Sequence, residues 1–275
     1  DLATVPLFLL MGTFASAAGF SRDIYRAAAA WFGHRRGGLA YATIGGCAAF
    51  GAVCGSSTAT AATFAKAALP EMLRRGYSPA FSTGTIAAGG TLKALIPPSI
   101  VMILYCVVTK TFIFDLFYAA IVPALLALLV NLLAIALVVR WKPELAPLSD
   151  PVASAEKWLA LRDAAPVLVL MLAVFLGLYS GVFTVNEAAS VAAVLALVFA
   201  LLRGRLDWHS VWLGLRETAS ATAMIYTIII GASVFSYFVT LARVPEALVA
   251  VIDALPISPL GIVVCLILAY LVLGA

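Results

Sequence analysis

Residues 45–63 read GGCAAFGAVCGSSTATAAT, and this stretch decides the fold. An apolar run enters Gly55-Ser56-Ser57-Thr58 and leaves through Ala, Thr and Phe to Lys66. In a bilayer each unpaired backbone group costs several kcal/mol, so irregular backbone persists at depth only inside protein or along a cavity. Two short apolar arms around a Gly-Ser-Ser-Thr turn therefore predict a re-entrant hairpin over 39–69. Its tip presents hydroxyls, carbonyls and a helix N-terminus to a small ion or anion.

The surrounding composition supports a bilayer setting. The 275 residues are 64% hydrophobic and 11% charged, with mean hydropathy +1.10. Soluble domains carry about 25% charged residues. The expected fold class is an all-α polytopic membrane protein. Apolar segments long enough to span recur along it. They read as 2–19, the hairpin, 79–109, 113–139, two helices within 164–202 that break near Ser180–Asn186, 217–241 and 257–275. The segments 20–38 and 242–256 read as amphipathic connectors, and Pro70 to Ser78 as a short turn. Residues 140–163 form a loop with Pro143, Pro147 and Pro151, and 203–216 a basic connector. The span over 79–109 is interrupted at Gly89-Gly90-Thr91 and again at Pro97-Pro98. The chain opens at Asp1 and closes inside an apolar run, which predicts a segment of a longer protein.

Charge placement orients this layout. Fourteen of the seventeen Lys and Arg lie in 20–38, 66–78, 140–163 and 203–216. Basic residues favour the cytoplasmic face, so those connectors share it. Arg35-Arg36 and Arg74-Arg75 can do so only if the chain between them turns back. A shift of 219 residues superposes Gly12 on Gly231 and Gly55 on Gly274. The span at 2–19 then runs inward and the one at 217–241 outward. This predicts an inverted repeat, the first copy over 1–139 and the second beginning at 217 and stopping at a second hairpin tip. Residues 164–216 link the copies. Inverted repeats that meet at the midplane characterise secondary transporters.

Four groups of residues could carry chemistry. At the tip, Ser56 or Ser57 caps the outgoing helix and its amides face an anion, or their oxygens hold Na⁺. The same residues also suit plain packing, with Gly51-xxx-Gly55 allowing close helix approach. In Ala87–Ser99, glycines and prolines free the carbonyls of Gly89, Gly90 and Thr91, which need a cation or a neighbouring helix. Lys93 is a charge inside an apolar span; it suits contact with a carboxylate solute, or with a carbonyl. Glu187 reads as a cap on the helix after Thr184, and Asp115 and Glu217 as span-end caps. The four cysteines, Cys47, Cys54, Cys106 and Cys265, have no metal spacing and read as small core residues. His34 and His209 lie in polar connectors. No HExxH, GxSxG or P-loop pattern occurs, no span holds a carboxylate pair, and no basic-aromatic face suits nucleic acid. An enzyme is not expected.

With these residues in view, the chain resembles the large, DctM-like membrane subunit of the tripartite ATP-independent periplasmic (TRAP) transporters. The resemblance is carried by PLFLLMG (6–12), RRGGLA (35–40), GSSTAT (55–60), ALPEMLRRGYS (68–78), AAGGTLKALIPPSI (87–100) and TVNEAA (184–189). It covers essentially the whole chain, and it implies that the family's N-terminal span or spans and the C-terminal half of the second repeat lie outside this segment. It implies an elevator-type importer of the bacterial inner membrane, in which hairpins and broken helices slide against a scaffold. It also implies a coupling Na⁺ with no other cofactor, a periplasmic solute-binding protein, a small four-helix membrane subunit and a small organic anion as solute. Na⁺ would sit at Gly55, Ser56, Ser57, Gly89, Gly90 and Thr91. A solute face of Thr58, Lys93, Pro97, Pro98 and Ser99 would lie beside it. Many members of the family have glycine where this chain has Lys93, and TVNEAA departs from the commoner T-x-T-E form. A related transporter working without a binding protein, and a non-transporting membrane scaffold, are the competing expectations.

Overall fold

The computed structural model describes residues 3–54, 56–148, 153–253 and 258–274. Gly55 and Pro151, singled out above, lie outside the described residues. Among those described there are twelve α-helices and no strand. The chain divides into two units, residues 1–223 and 224–275.

The first unit begins with α1 (Thr4–Ala17) and the amphipathic α2 (Phe20–Phe32), which meet at 63°. Gly19 makes the bend with φ +77°, a left-handed conformation that only glycine adopts at little cost. The carbonyl of Ala18, which caps α1, would otherwise be unpaired; Arg203 Nη1 and Arg205 Nη1 both donate to it, at 3.3 and 3.0 Å. Arg203 also pairs with Asp23, donates to Asp163 O, and lies 5.2 Å from the Phe20 ring centre. One guanidinium thus ties together the end of α1, the start of α2 and a later helix. Residues 18–23 and 203–205 are therefore on one face, as the basic connectors require.

Next come α3 (Gly38–Val53), α4 (Ser57–Arg74), α5 (Pro79–Leu92) and α6 (Ile100–Thr109). They are followed by α7 (Ile113–Trp141), α8 (Ser154–Tyr179), α9 (Val185–Leu202) and the first part of α10 (Trp208–Leu241). Helices α7 to α10 are each long and apolar enough to cross a membrane. At 1.5 Å per residue, α7 measures roughly 44 Å, more than a hydrocarbon core of about 30 Å. Thr184 and Glu187 form a reciprocal capping box at the start of α9, the role expected of Glu187. Asp115 lies in the first turn of α7.

Small residues seat α9 on α1. Ala188, Ala189, Ala192, Ala193, Ala196 and Ala200 are all buried, and their spacing of three and four places them on one face. Thr4 of α1 bonds Asn186 at the top of α9. Without a methyl to spare, this seam predicts a clear result. Ala196→Leu should lower stability by about 1–3 kcal/mol, as overpacking does. Val198→Leu, on the exposed face, should change it by less than about 0.5 kcal/mol. Thermal unfolding of the two purified variants checks this; equal shifts would count against the seam.

Several helices run past the apolar segments that predict them. Pro70 stands inside α4, which continues to Arg74, so the expected turn shrinks to residues 75–78. Glu71 accepts from Arg74 and Arg75 one turn on and extends the helix. Residues 154–163 belong to α8, and α10 starts at Trp208 within the expected basic connector. Hydropathy ends where a helix surface becomes charged, whereas the backbone ladder continues. The second unit holds the remainder of α10, the amphipathic α11 (Val244–Asp253) and α12 (Pro259–Gly274).

Candidate functional site

α3 and α4 form an antiparallel hairpin, and their contacts show its sense. Tyr77 OH accepts from Leu39 N at 3.3 Å, and Thr43 Oγ1 lies 3.7 Å from Met72 Sδ. Further along, Gly46 and Phe50 both meet Phe64. As one residue number rises its partner's falls. The helical ladder stops at Cys54 (φ −92°, ψ 120°) and resumes after Ser56 (φ −126°, ψ 132°).

Ser56 caps α4. Its Oγ accepts from Ala59 N at 3.3 Å and lies 2.9 Å from Thr58 Oγ1. Its carbonyl accepts from Thr60 N and Thr60 Oγ1, at 3.0 and 2.9 Å. The amides of Ser57 and Thr58, ahead of the first helical bond, stand at the open end. Ser56 and Ser57 are half-buried and Thr58 is exposed.

The second break is displaced from where the glycines suggest it. Gly89, Gly90 and Thr91 are helical within α5, and the ladder ends at Leu92. Glycine serves closeness here. A methyl on Gly89 would come 2.8 Å from Cys47 Sγ, and one on Gly90 would come 2.8 Å from Ala61 Cβ and 3.4 Å from Ser57 O. The carbonyls of Gly89 and Gly90 are nevertheless relieved of their usual partners. The amides of Lys93 and Ala94 turn to Thr91 O, and those of Leu95 and Ile96 to Leu92 O. Pro97 and Pro98, joined by a cis peptide, are buried. Ser99 is buried too, its Oγ donating to Ala94 O at 3.0 Å. Thr91 is exposed, with its hydroxyl on Ala88 O.

The fold therefore sets Gly90 of α5 against Ser57 at the tip, and Lys93 against Gly51 of α3, 3.3 Å from a methyl built there. Lys93 is 1% exposed. Its ammonium donates to Pro98 O and, at 3.4 Å, to Ile96 O. It is turned into the bend between α5 and α6, and it does not line the cavity beside the hairpin tip.

Ser56 and Cys54 also line a cavity of about 390 Å³, with Thr13 and Ser16 of α1 and Glu217 and Thr218 of α10. Thr218 Oγ1 is buried without a hydrogen-bond partner among the described residues. Glu217 stands in the third turn of α10, so it is a wall of this cavity and not a span-end cap. Sequence reading missed Thr13, Ser16 and Thr218; their only signal is a hydroxyl in an apolar run. A larger cavity, about 1010 Å³, lies between 106–114 and 178–186. It touches neither break, so the smaller one is the better candidate for a solute. Cys47, Cys54 and Cys106 are buried and unbridged, whereas Cys265 is exposed. Among the described residues no group of His, Cys, Asp and Glu suits a metal ion.

An all-helical chain with several helices long and apolar enough to cross a membrane, and with a hairpin tip packed against a helix that ends two residues on, is as a class a polytopic membrane protein. The family model described as "Tripartite ATP-independent periplasmic transporter, DctM component" matches residues 1–275, and the chain belongs to that family. The C4-dicarboxylate TRAP transporter large permease protein DctM of Pseudomonas aeruginosa is 38% identical over 94% of this chain and 60% of its own length. The ectoine TRAP transporter large permease protein TeaC of Halomonas elongata is 30% identical over 99% of this chain and 64% of its own length. The isethionate TRAP transporter permease protein DctMQ of Oleidesulfovibrio alaskensis is 30% identical over 99% of this chain and 43% of its own length. The chain thus spans about 60% of the length of the first of these relatives. The family is one of transporter permeases, not of enzymes. Membership, with the long apolar helices, makes this an integral protein of the inner membrane.

Proposed function

We propose that the protein is the large permease subunit of an Na⁺-coupled importer that takes a small organic anion, a carboxylate, from a periplasmic solute-binding protein. The observation that carries this reading is the close approach of α5 to the hairpin tip, with Gly90, two residues before the ladder ends at Leu92, against Ser57. Na⁺ is a hard cation and takes oxygen ligands, which transporters supply from unwound backbone and half-helix ends. The site is assigned to Gly55, Ser56, Ser57, Gly89, Gly90 and Thr91, with Gly55 outside the described residues. The adjoining cavity, with Ser56 and the unpaired Thr218 hydroxyl, is assigned to the solute, with Thr58, Pro97, Pro98 and Ser99 around the breaks. The C4-dicarboxylate relative supports a carboxylate. The fused DctMQ relative supports a second membrane subunit.

The order of elements supports a repeat, whose inversion rests on the charge pattern of the connectors. α1, amphipathic α2 and the 16-residue α3 are matched in order by α10, amphipathic α11 and the 16-residue α12. Such a repeat suits an elevator, with hairpins and broken helices moving against a scaffold.

The test is uptake of labelled succinate by the full-length permease, its small subunit and its binding protein in proteoliposomes. Uptake should require an inward Na⁺ gradient; uptake that persists unchanged without Na⁺ rules out the coupling. Ser56→Ala should raise the Na⁺ concentration for half-maximal uptake more than Ser57→Ala, because the Ser56 hydroxyl lies at the tip. An Na⁺ titration unshifted in both variants refutes the site. Uptake by the membrane subunits alone would favour a transporter that needs no binding protein.

A further inference from the structure

Lys93 is a fully buried lysine with no anionic partner among the described residues. It is 1% exposed, at the end of α5. The ion pairs among the described residues join Arg26 to Asp163, Glu71 to Arg74 and Arg75, and Arg203 to Asp23. None includes Lys93. Its ammonium is met by two neutral oxygens, Ile96 O and Pro98 O, in the bend between α5 and α6. Its stem fills the space that Gly51 leaves open.

Carbonyl oxygens without a counter-charge are how proteins hold alkali cations in membranes, since the dipoles replace the hydration shell. Charges inside spanning segments commonly rest on backbone carbonyls for the same reason. We propose that the Lys93 ammonium is a tethered resident cation: it occupies the oxygens of Ile96 and Pro98, which a free alkali ion would otherwise bind. The break then carries a tethered positive charge that travels with the chain. Shortening the side chain removes that charge and leaves both carbonyls facing an opened space. Na⁺ is the ion of suitable size and chemistry to enter it. This deepens the Na⁺-coupling reading by adding a fixed charge beside the mobile ion, yet it concerns different oxygens from the tip site.

Thermal unfolding of the full-length permease, purified with its small subunit, separates the two. Unfolding is followed in NaCl against choline chloride at constant ionic strength. Lys93→Ala should be less stable than wild type in choline and gain an Na⁺-dependent rise of about 3–6 °C beyond the wild-type response. Lys93→Arg keeps the cation, and Lys93→Met fills the space; neither should gain that response. A Lys93→Ala response that superposes on wild type overturns the proposal, whether or not wild type responds. A flat wild-type response speaks only against the tip site. If Lys93→Ala does not accumulate, Lys93→Met still decides. It keeps the stem without the charge and should unfold at lower temperature than both wild type and Lys93→Arg; stability equal to wild type overturns the resident cation.

Discussion

Arg203→Ala is expected to destabilise the permease by about 3–5 kcal/mol, because it strands the buried Asp23 carboxylate. Asp23 is 4% exposed, on the inner face of α2. The guanidinium also serves Ala18 O and Asp163 O and stacks near Phe20. Lysine cannot fork between such acceptors, so Arg203→Lys should recover only part of the loss. The double variant Asp23→Asn with Arg203→Ala should be more stable than Arg203→Ala alone, since the orphaned charge is gone. Unfolding temperatures of the four proteins in detergent check the argument. If the double variant is no better than the single, the stranded charge is not the cause.

Gly90→Val should abolish Na⁺-dependent uptake in the proteoliposome assay. Even the first added carbon comes 2.8 Å from Ala61 Cβ and 3.4 Å from Ser57 O. Neither is the end of a flexible side chain, so α4 must move away from α5 and the proposed oxygen site opens. Overpacking of this kind costs about 1–3 kcal/mol, which lowers stability without preventing assembly. Gly90→Ala is the milder form, and it offers a direct control. Ala61→Gly removes the methyl that the new carbon strikes. Gly90→Ala should therefore lose most uptake alone and regain it when combined with Ala61→Gly. Failure of that rescue, with both proteins assembled, would separate Gly90 from the transport site.

The hairpin was legible because its signal is local. Gly-Ser-Ser-Thr between two apolar arms, with Arg35-Arg36 and Arg74-Arg75 on either side, points to a turn from one short stretch. The capping box at Thr184 and Glu187 was legible for the same reason: partners three residues apart declare themselves. Gly89-Gly90 misled because one residue type has two uses. Glycine loosens a helix, and it also lets two helices touch. In α5 the contacts with Cys47 and Ala61 show the second use. The break falls later, where Pro97 and Pro98 lack amides to continue the ladder. Lys93 was recognised as anomalous, but its acceptors could not be read from spacing, because they depend on how the chain bends after Leu92.

Composition, hydropathy and charge by themselves determined that this is an all-helical membrane protein, which connectors share a face, and that the chain doubles back at Ser56. These follow from the cost of exposing backbone and charge to lipid, a cost every short segment meets alone. Only the tertiary structure decided that Gly90 rests on Ser57, that Arg203 locks an elbow 180 residues away, and that Thr13, Ser16, Glu217 and Thr218 share a cavity with the hairpin tip. Those are packing outcomes. They depend on which helix surfaces meet, and that depends on every side chain in the interface at once.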